Sequence, residues 1–494
     1  MSSLTFERIL PSIRNPLLAA VCGSVSGVLI VVLAASGSPK IAAAAMGGLV
    51  LVGAAMLFPD IAFLLVAIAV PIERLGRFTN DTEANAFSLM RLVGMLALGS
   101  FLLHALIKRW KINFGVSFLL YSAYTCWGLI TIFFSTDRLG GMQTGGQVLG
   151  NLMFLFLTIN IVRNWKLARA AVIAWLVVVV LAGIWTIYDW HFQGAARAQG
   201  EANVGVTDRR FQATYVDNST WDKLESLGRA QGTSSHPAVY GINLVFTIPF
   251  FFYFLRVARS RLWGILIAGG LVITLYNIFL TNTRATFFVA GIAILLCVLR
   301  QVYPLGPRQL IGLLLLSSAG LYFVPADVYT RALDPASYAT STQQGTFFLR
   351  LKFWEAAYEV VLKNWLFGVG MGNQTAVPST IHAVSPERIS AHNEYLNTLM
   401  EVGVIGWILF FLTVGVFVWS SFRAAAIFRE LPNRQEEYWF MLAAQITLIA
   451  ALLYAVQVDV FHFPLKGWWL ISGLSVAMLW MAEKDAREGR EKVG

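Results

Sequence analysis

The chain has 494 residues, of which 57% are hydrophobic and 13% charged, and its mean hydropathy is +0.65. Soluble chains carry about a quarter charged residues, so these numbers exclude a soluble globular fold and imply an all-α, polytopic membrane protein. The formal charge of +10 comes with no basic–aromatic stripe and no nucleic-acid motif, which removes nucleic acid as a partner.

Fourteen apolar runs follow in order, near 17–35, 41–58, 61–72, 89–107, 115–135, 147–162, 170–189, 237–256, 262–280, 285–300, 309–324, 397–422, 437–457 and 464–482. Arg8, Pro11 and Arg14 lead into the first, and no small-residue cleavage site follows, so that run is expected to stay as a helix. The runs at 61–72 and 147–162 fall short of the roughly twenty residues a span needs and read as half-helices or tilted neighbours. Twelve to fourteen spans result, and either even count puts both termini on one side. Cys22, Cys126 and Cys297 all sit inside apolar runs, which leaves no disulfide framework and no cysteine metal site.

Lysine and arginine set the orientation. Twenty of them fall in the short segments of one face, including Arg8, Lys108, Arg163, Arg256, Arg300, Arg429 and Arg487. The short segments of the other face hold six: Lys40, Arg74, Arg77, Arg138, Arg284 and Lys466. The positive-inside rule therefore puts both termini in the cytoplasm. Two long hydrophilic loops, 190–236 and 325–396, then face outward from a single membrane unit that covers 1–494. ATP and nucleotide sugars are absent there. Gly368-Val369-Gly370-Met371-Gly372, which lacks a preceding strand and the full nucleotide-loop spacing, reads as a turn allowing close backbone approach.

The second outer loop carries an amphipathic helix over 347–365. Leu351, Trp354, Tyr358, Val361 or Leu362, and Trp365 share one side, and Lys352, Glu355, Glu359 and Lys363 the other, as in a helix lying at a membrane surface. Arg350, near its apolar edge, suits either a snorkelling anchor or a lid facing a phosphorylated lipid.

Three further positions fall at the same outer interface: Arg229 before the span that opens at Pro237, Arg284 in the short turn Thr281-Asn282-Thr283-Arg284, and His392 before the span near 397. An imidazole at a membrane surface defaults to a functional reading. Guanidinium groups bind a diphosphate through bidentate, charge-assisted hydrogen bonds, although a lone outer arginine can equally pair with lipid phosphate. His104 and His462 read as structural, and His191, His236 and His382 stay open. No paired carboxylates and no metal-ligand cluster stand out on the outer face.

His392-Asn393, nine residues, then Gly403-Val404-Ile405-Gly406 resembles the signature of the O-antigen ligases of bacteria. The stretch from about 229 to 406, with an outer Arg, an Arg in a short turn and a large loop ending in the His motif, resembles the core of the O-antigen ligase and polymerase superfamily. That resemblance implies a membrane-embedded glycosyltransferase of the GT-C-like kind, in the bacterial inner membrane with a periplasmic active site, without metal or other cofactor. It implies His392 as the catalytic residue, Arg229 and Arg284 as donor diphosphate ligands, and Asn393, Gly403 and Gly406 as the rest of the motif; Arg350 joins them as a supporting position on its place in the amphipathic helix alone. It further implies an undecaprenyl diphosphate-linked glycan as donor and lipid A core as acceptor, among membrane lipids. An O-antigen polymerase or a protein O-oligosaccharyltransferase using the same donor, or a transporter, remain as alternatives. Against transport, the hydropathy shows no two-fold repeat and charges inside the spans are few.

The orientation is directly testable. Cysteines placed in 200–230 and 340–390 should react with impermeant thiol reagents from outside the cell, and ones at 166 or 429 should not; outside labelling of 425–434 would invert every loop.

Overall fold

The computed structural model describes residues 48, 50–72, 89–135, 137–193, 230–234, 237–304, 306, 345–373, 391–457 and 465–491. Every regular element among them is helical, as apolar chain must be where no water can satisfy the backbone. In order these are α1 (Pro59–Ala69), α2 (Leu89–Lys108), α3 (Val116–Thr131), α4 (Arg138–Ile161), α5 (Trp165–Tyr188), α6 (Pro237–Val245), α7 (Ile248–Arg256), α8 (Arg261–Leu280) and α9 (Arg284–Leu299). They continue with α10 (Gly345–Lys363), α11 (Glu394–Glu430), α12 (Gln435–Tyr454) and α13 (Lys466–Glu491). Eight helical segments among the described residues are long and apolar enough to cross a membrane, with α6 and α7 counted as one. The chain is thus a multi-pass, all-helical membrane protein. The runs at 17–35 and 309–324 lie outside the described residues.

Short polar side chains start several helices by accepting an otherwise orphaned N–H. Asp137 takes Gly140 N–H at 2.9 Å, Asn164 takes Leu167 N–H at 2.8 Å and Ser260 takes Trp263 N–H at 3.3 Å. The short run at 147–162 is corrected here: it is the second half of α4, a helix of 24 residues. Its first turns, Leu-Gly-Gly-Met-Gln-Thr-Gly-Gly-Gln, are poor in large apolar groups because neighbours press close. A Cβ on Gly141 would lie 2.9 Å from Met371 O, and one on Gly145 would lie 2.9 Å from Leu129 Cδ2. Run 61–72 does stay short, as α1 and a 3-10 turn, Val70–Ile72.

The centre of the bundle is α13 against α11, α4 and α12, and α11 also packs on α3. Trp468, Trp469, Trp175, Tyr121, Tyr253 and Tyr454 fill it with fully buried rings. Leu106, Phe133, Ile265 and Phe288 point outward from the bundle, the pattern of a surface solvated by lipid. The two ends differ in charge. At one, Arg169 pairs with Glu436 at 3.0 Å, and Arg434 pairs with Glu437 at 2.7 Å and Asp485 at 2.6 Å. The opposite end carries Arg284, His392 and the starts of α6 and α11.

At that second end α11 is not one helix. Gly403 sits at φ +65°, ψ −175°, separating a first segment, 394–402, from the long remainder. The break frees three carbonyls, and each finds a donor: Val369 N–H on Met400 O (2.9 Å), Gly370 N–H on Glu401 O (2.9 Å) and the Trp127 indole on Val402 O (2.8 Å). In return Val404 N–H donates to Trp365 O at 2.8 Å. The glycine segment 368–372 is therefore a clasp that threads the gap. Its close approach, expected from the sequence, is real: a Cβ on Gly368 would lie 2.3 Å from Glu401 O.

Helix α10 leads into this clasp and lies on the first segment of α11. Its packed face is Phe353, Ala356, Ala357, Val360 and Val361. Of the stripe that its periodicity singles out, Leu351, Tyr358, Leu362 and Trp365 face outward with Glu355, Glu359 and Lys363 beside them, whereas Trp354 and Val361 join the packed side. Small residues seat the helix on its protein neighbour because they let it come close, and the bulky amphipathic ones remain for the bilayer surface.

Gly403→Ala should lower stability by about 2–5 kcal/mol, because the added methyl would lie 2.2 Å from Leu366 O at a φ that disfavours a side chain. Gly264→Ala, in a helix where nothing lies within 4 Å, should gain about 0.5–1 kcal/mol. Thermal unfolding in detergent compares the two.

Candidate functional site

The His motif is built from backbone requirements as much as from chemistry. Asn393 caps α11, its side chain accepting Leu396 N–H at 3.2 Å. Gly403 makes the break, and Gly406 allows contact where a Cβ would stand 2.9 Å from the Trp127 ring. His392, half-buried, precedes the cap with φ +48°, a left-handed conformation that costs a residue with a Cβ about 1–2 kcal/mol. Next to it, Glu394 N–H donates to Ala455 O at 2.9 Å, which ties the motif to the end of α12.

That end of α12 is a junction. Tyr454 donates its hydroxyl proton to Ala238 O at 2.9 Å, so Thr286, 3.2 Å from the same oxygen, must donate to it. Thr286 is two residues beyond Arg284, and Ala238 belongs to the first turn of α6. Meanwhile Ala230 N–H donates to Leu280 O at 2.9 Å, which lays the residue after Arg229 on the end of α8, next to the Arg284 turn. The segments that carry His392 and Arg284 are thus both tied to the end of α12, at Ala455 and Tyr454, while Ala230 is tied to the end of α8 just before the Arg284 turn. Arg229 itself lies outside the described residues, and Arg350 stands in α10.

Arg284 is the first residue of α9 and is exposed. The turn before it holds Asn282 at φ +46° and Thr283 at the cap position without a side-chain cap bond. A guanidinium beside the amide end of a helix adds two positive fields at one point, which favours an anion. The N-terminus of α11 also opens at this end, below His392.

Several polar groups take places that the sequence reading did not give them. Glu394 and Glu401 are 1% and 0% exposed, although acids at membrane depth are costly and rarely accidental. Their spacing of seven, two turns of one face in an apolar span, was the available signal. Glu394 accepts from Thr398 Oγ1 at 3.2 Å, and Glu401 accepts Gly372 N–H at 2.9 Å, which locks the clasp. Lys466, expected as an outer-face cation, is only 8% exposed and donates to Asn151. Tyr121 and Tyr124 stack at 5.5 Å on α3. Nothing in local periodicity marks Tyr454 or pairs Trp354, a member of the α10 stripe, with Ala391, because the partners are distant in sequence. His104 is structural as expected, buried with Nδ1 2.9 Å from Ser100 O, whereas His191 is exposed and bonded to the Tyr276 hydroxyl at 2.8 Å. His236, His382 and His462 lie outside the described residues.

Residues 269–411 match the family model described as O-antigen ligase. The matched stretch runs from α8 through the break in α11, and it contains Arg284, Arg350, His392, Asn393, Gly403 and Gly406 but not Arg229. No curated protein matches the chain.

Arg284→Lys keeps the charge and loses the two-pronged donor geometry. It should weaken binding of a prenyl diphosphate roughly 10- to 100-fold, the range expected from one charge-assisted contact. Arg261→Lys, at the start of α8 on the opposite end, should leave that affinity unchanged in the same binding titration.

Proposed function

We propose that this chain, a member of the O-antigen ligase/polymerase superfamily, is the ligase: it moves a finished glycan from undecaprenyl diphosphate to a sugar of lipid A core. The observation that carries the reading is that the His392 and Arg284 segments are both bonded to the end of α12, with Ala230 bonded to the end of α8 beside the Arg284 turn, at the less basic end of the bundle. By the lysine and arginine bias that end is periplasmic and both termini are cytoplasmic in the bacterial inner membrane.

The reaction is a direct displacement. An acceptor hydroxyl attacks the anomeric carbon, the bond from that carbon to the diphosphate oxygen breaks, and the polyprenyl diphosphate leaves with the electron pair. Attack from the back face inverts the anomeric centre. His392 takes the hydroxyl proton, a task for which an imidazole is the commonest side chain. Arg284 and Arg229 hold the diphosphate and stabilise the charge that grows on it, the electrostatic contribution that is usually largest in such reactions. The prenyl tail stays in the bilayer along the lipid-facing helices, and Arg350 on α10 borders the donor from the loop side. The energy of the donor bond drives transfer, so neither ATP nor a metal ion enters.

The polymerase of the same superfamily would use the same donor and the same three residues, and the products separate the two. His392→Ala should leave the protein folded and inserted, because a residue between a loop and a cap supports little core packing. Cells carrying it should make lipid A core without long glycan and retain glycan on its polyprenyl carrier. Core capped with a single repeat unit in that strain would favour the polymerase instead, as electrophoresis of the lipopolysaccharide would reveal.

A further inference from the structure

The backbone at His392 is held by groups on both sides. Its φ of +48° is set by the plane of the peptide that joins Ala391 to His392. The carbonyl of that peptide, Ala391 O, accepts from the Trp354 indole Nε1 at 2.8 Å. The N–H of Ala391 donates to Oδ1 of Asn397 at 3.2 Å. On the far side the Glu394 N–H is fixed to Ala455 O at 2.9 Å and the Asn393 side chain is fixed as the cap. Rotating His392 into an ordinary conformation means swinging the Ala391–His392 peptide, and that breaks the bond to Trp354.

The two groups come from different elements. Trp354 lies on α10, beside the Ala357, Val360 and Val361 face that packs on Ala391 and Met400. Asn397 is fully buried in the first segment of α11, one turn after the cap. Neither side chain suits proton transfer: an indole N–H only donates, and an amide is neutral across the physiological range. What they share is one target, the residue before His392.

We propose that Trp354 and Asn397 are positioning residues for His392. Trp354 fixes the peptide plane that makes the left-handed turn, Asn397 fixes the residue behind it, and together they aim the imidazole without touching substrate. Helix α10 thereby gains a second task beside its membrane-facing stripe, since it delivers the indole to Ala391. The inference rests on the reading of His392 as the base.

The test uses the full-length protein in lipid nanodiscs, with an undecaprenyl diphosphate-linked glycan and lipid A core. Trp354→Phe keeps an aromatic ring in the apolar cluster and removes the N–H. It should lower kcat roughly 10- to 100-fold, the loss that a small misplacement of a catalytic group produces, with the KM for donor and the melting temperature unchanged. Asn397→Leu should behave alike, and Asn397→Asp, which retains an acceptor oxygen, should recover most of kcat. Wild-type kcat in Trp354→Phe and Asn397→Leu would overturn the proposal, as would a loss that follows melting temperature or is not rescued by Asp. His392→Ala measured in parallel keeps the two readings apart. Transfer surviving in that variant removes His392 as the base, whereas its loss beside unimpaired Trp354→Phe removes only the positioning role.

Discussion

A helix that stops and restarts within a membrane protein must hand its freed carbonyls to other donors, because lipid offers none. Gly403 imposes that requirement, and the architecture around His392 answers it. The glycine segment 368–372 and Trp127 supply the donors, and each must come within hydrogen-bonding distance of the break. Close approach in turn demands glycine at 368 and 403 and a thin, glycine-lined start to α4. One break in one helix thus dictates the composition of three other segments. Without it, α11 would run straight through, and the chain that carries His392 would have no separate short helix to stand on.

Charge is arranged with equal economy. The described carboxylate–arginine pairs, Arg169–Glu436, Arg259–Glu436 and Arg434 with Glu437 and Asp485, cluster at the basic end together with the cation–aromatic contact of Arg256 and Trp439. There, opposite charges hold helix starts and ends together. At the other end neutral hydroxyl and amide bonds such as Tyr454 to Ala238 and Tyr240 to Asn277 join helices, and the buried Glu394 and Glu401 accept from Thr398 and from Gly372 N–H. Arg284 and the helix N-termini supply positive field at this end, which suits one that meets an anionic lipid.

Much of this was legible in the chain itself. Apolar runs located the long helices because a span of about 30 Å needs some twenty residues whatever its neighbours are. The His motif was legible because Asn393, Gly403 and Gly406 each answer a local demand: a cap, a positive φ, a close contact. Half of α4 was hidden because its glycines lower hydropathy for a reason that lies in another part of the chain, the clasp at Met371. The packed side of α10 was hidden on similar grounds. Periodicity marks large amphipathic residues, but the neighbour on that side accepts the small ones, Ala356 and Ala357. Tyr454 and Trp354 act over separations of 168 and 37 residues, which no local pattern encodes.

The segment Pro237–Arg256 is the most enclosed of the spans, with 89% of its apolar window buried. It is made before α12, yet part of its enclosure is α12, which lies far along the chain from it. During synthesis its Phe246 carbonyl and first-turn Ala238 carbonyl must therefore wait until Thr447 and Tyr454 arrive to bond them. Assembly of the Arg284–His392 end in this sense waits for α12: a nascent chain that stalls before that helix has every residue of the His motif and no junction to gather it.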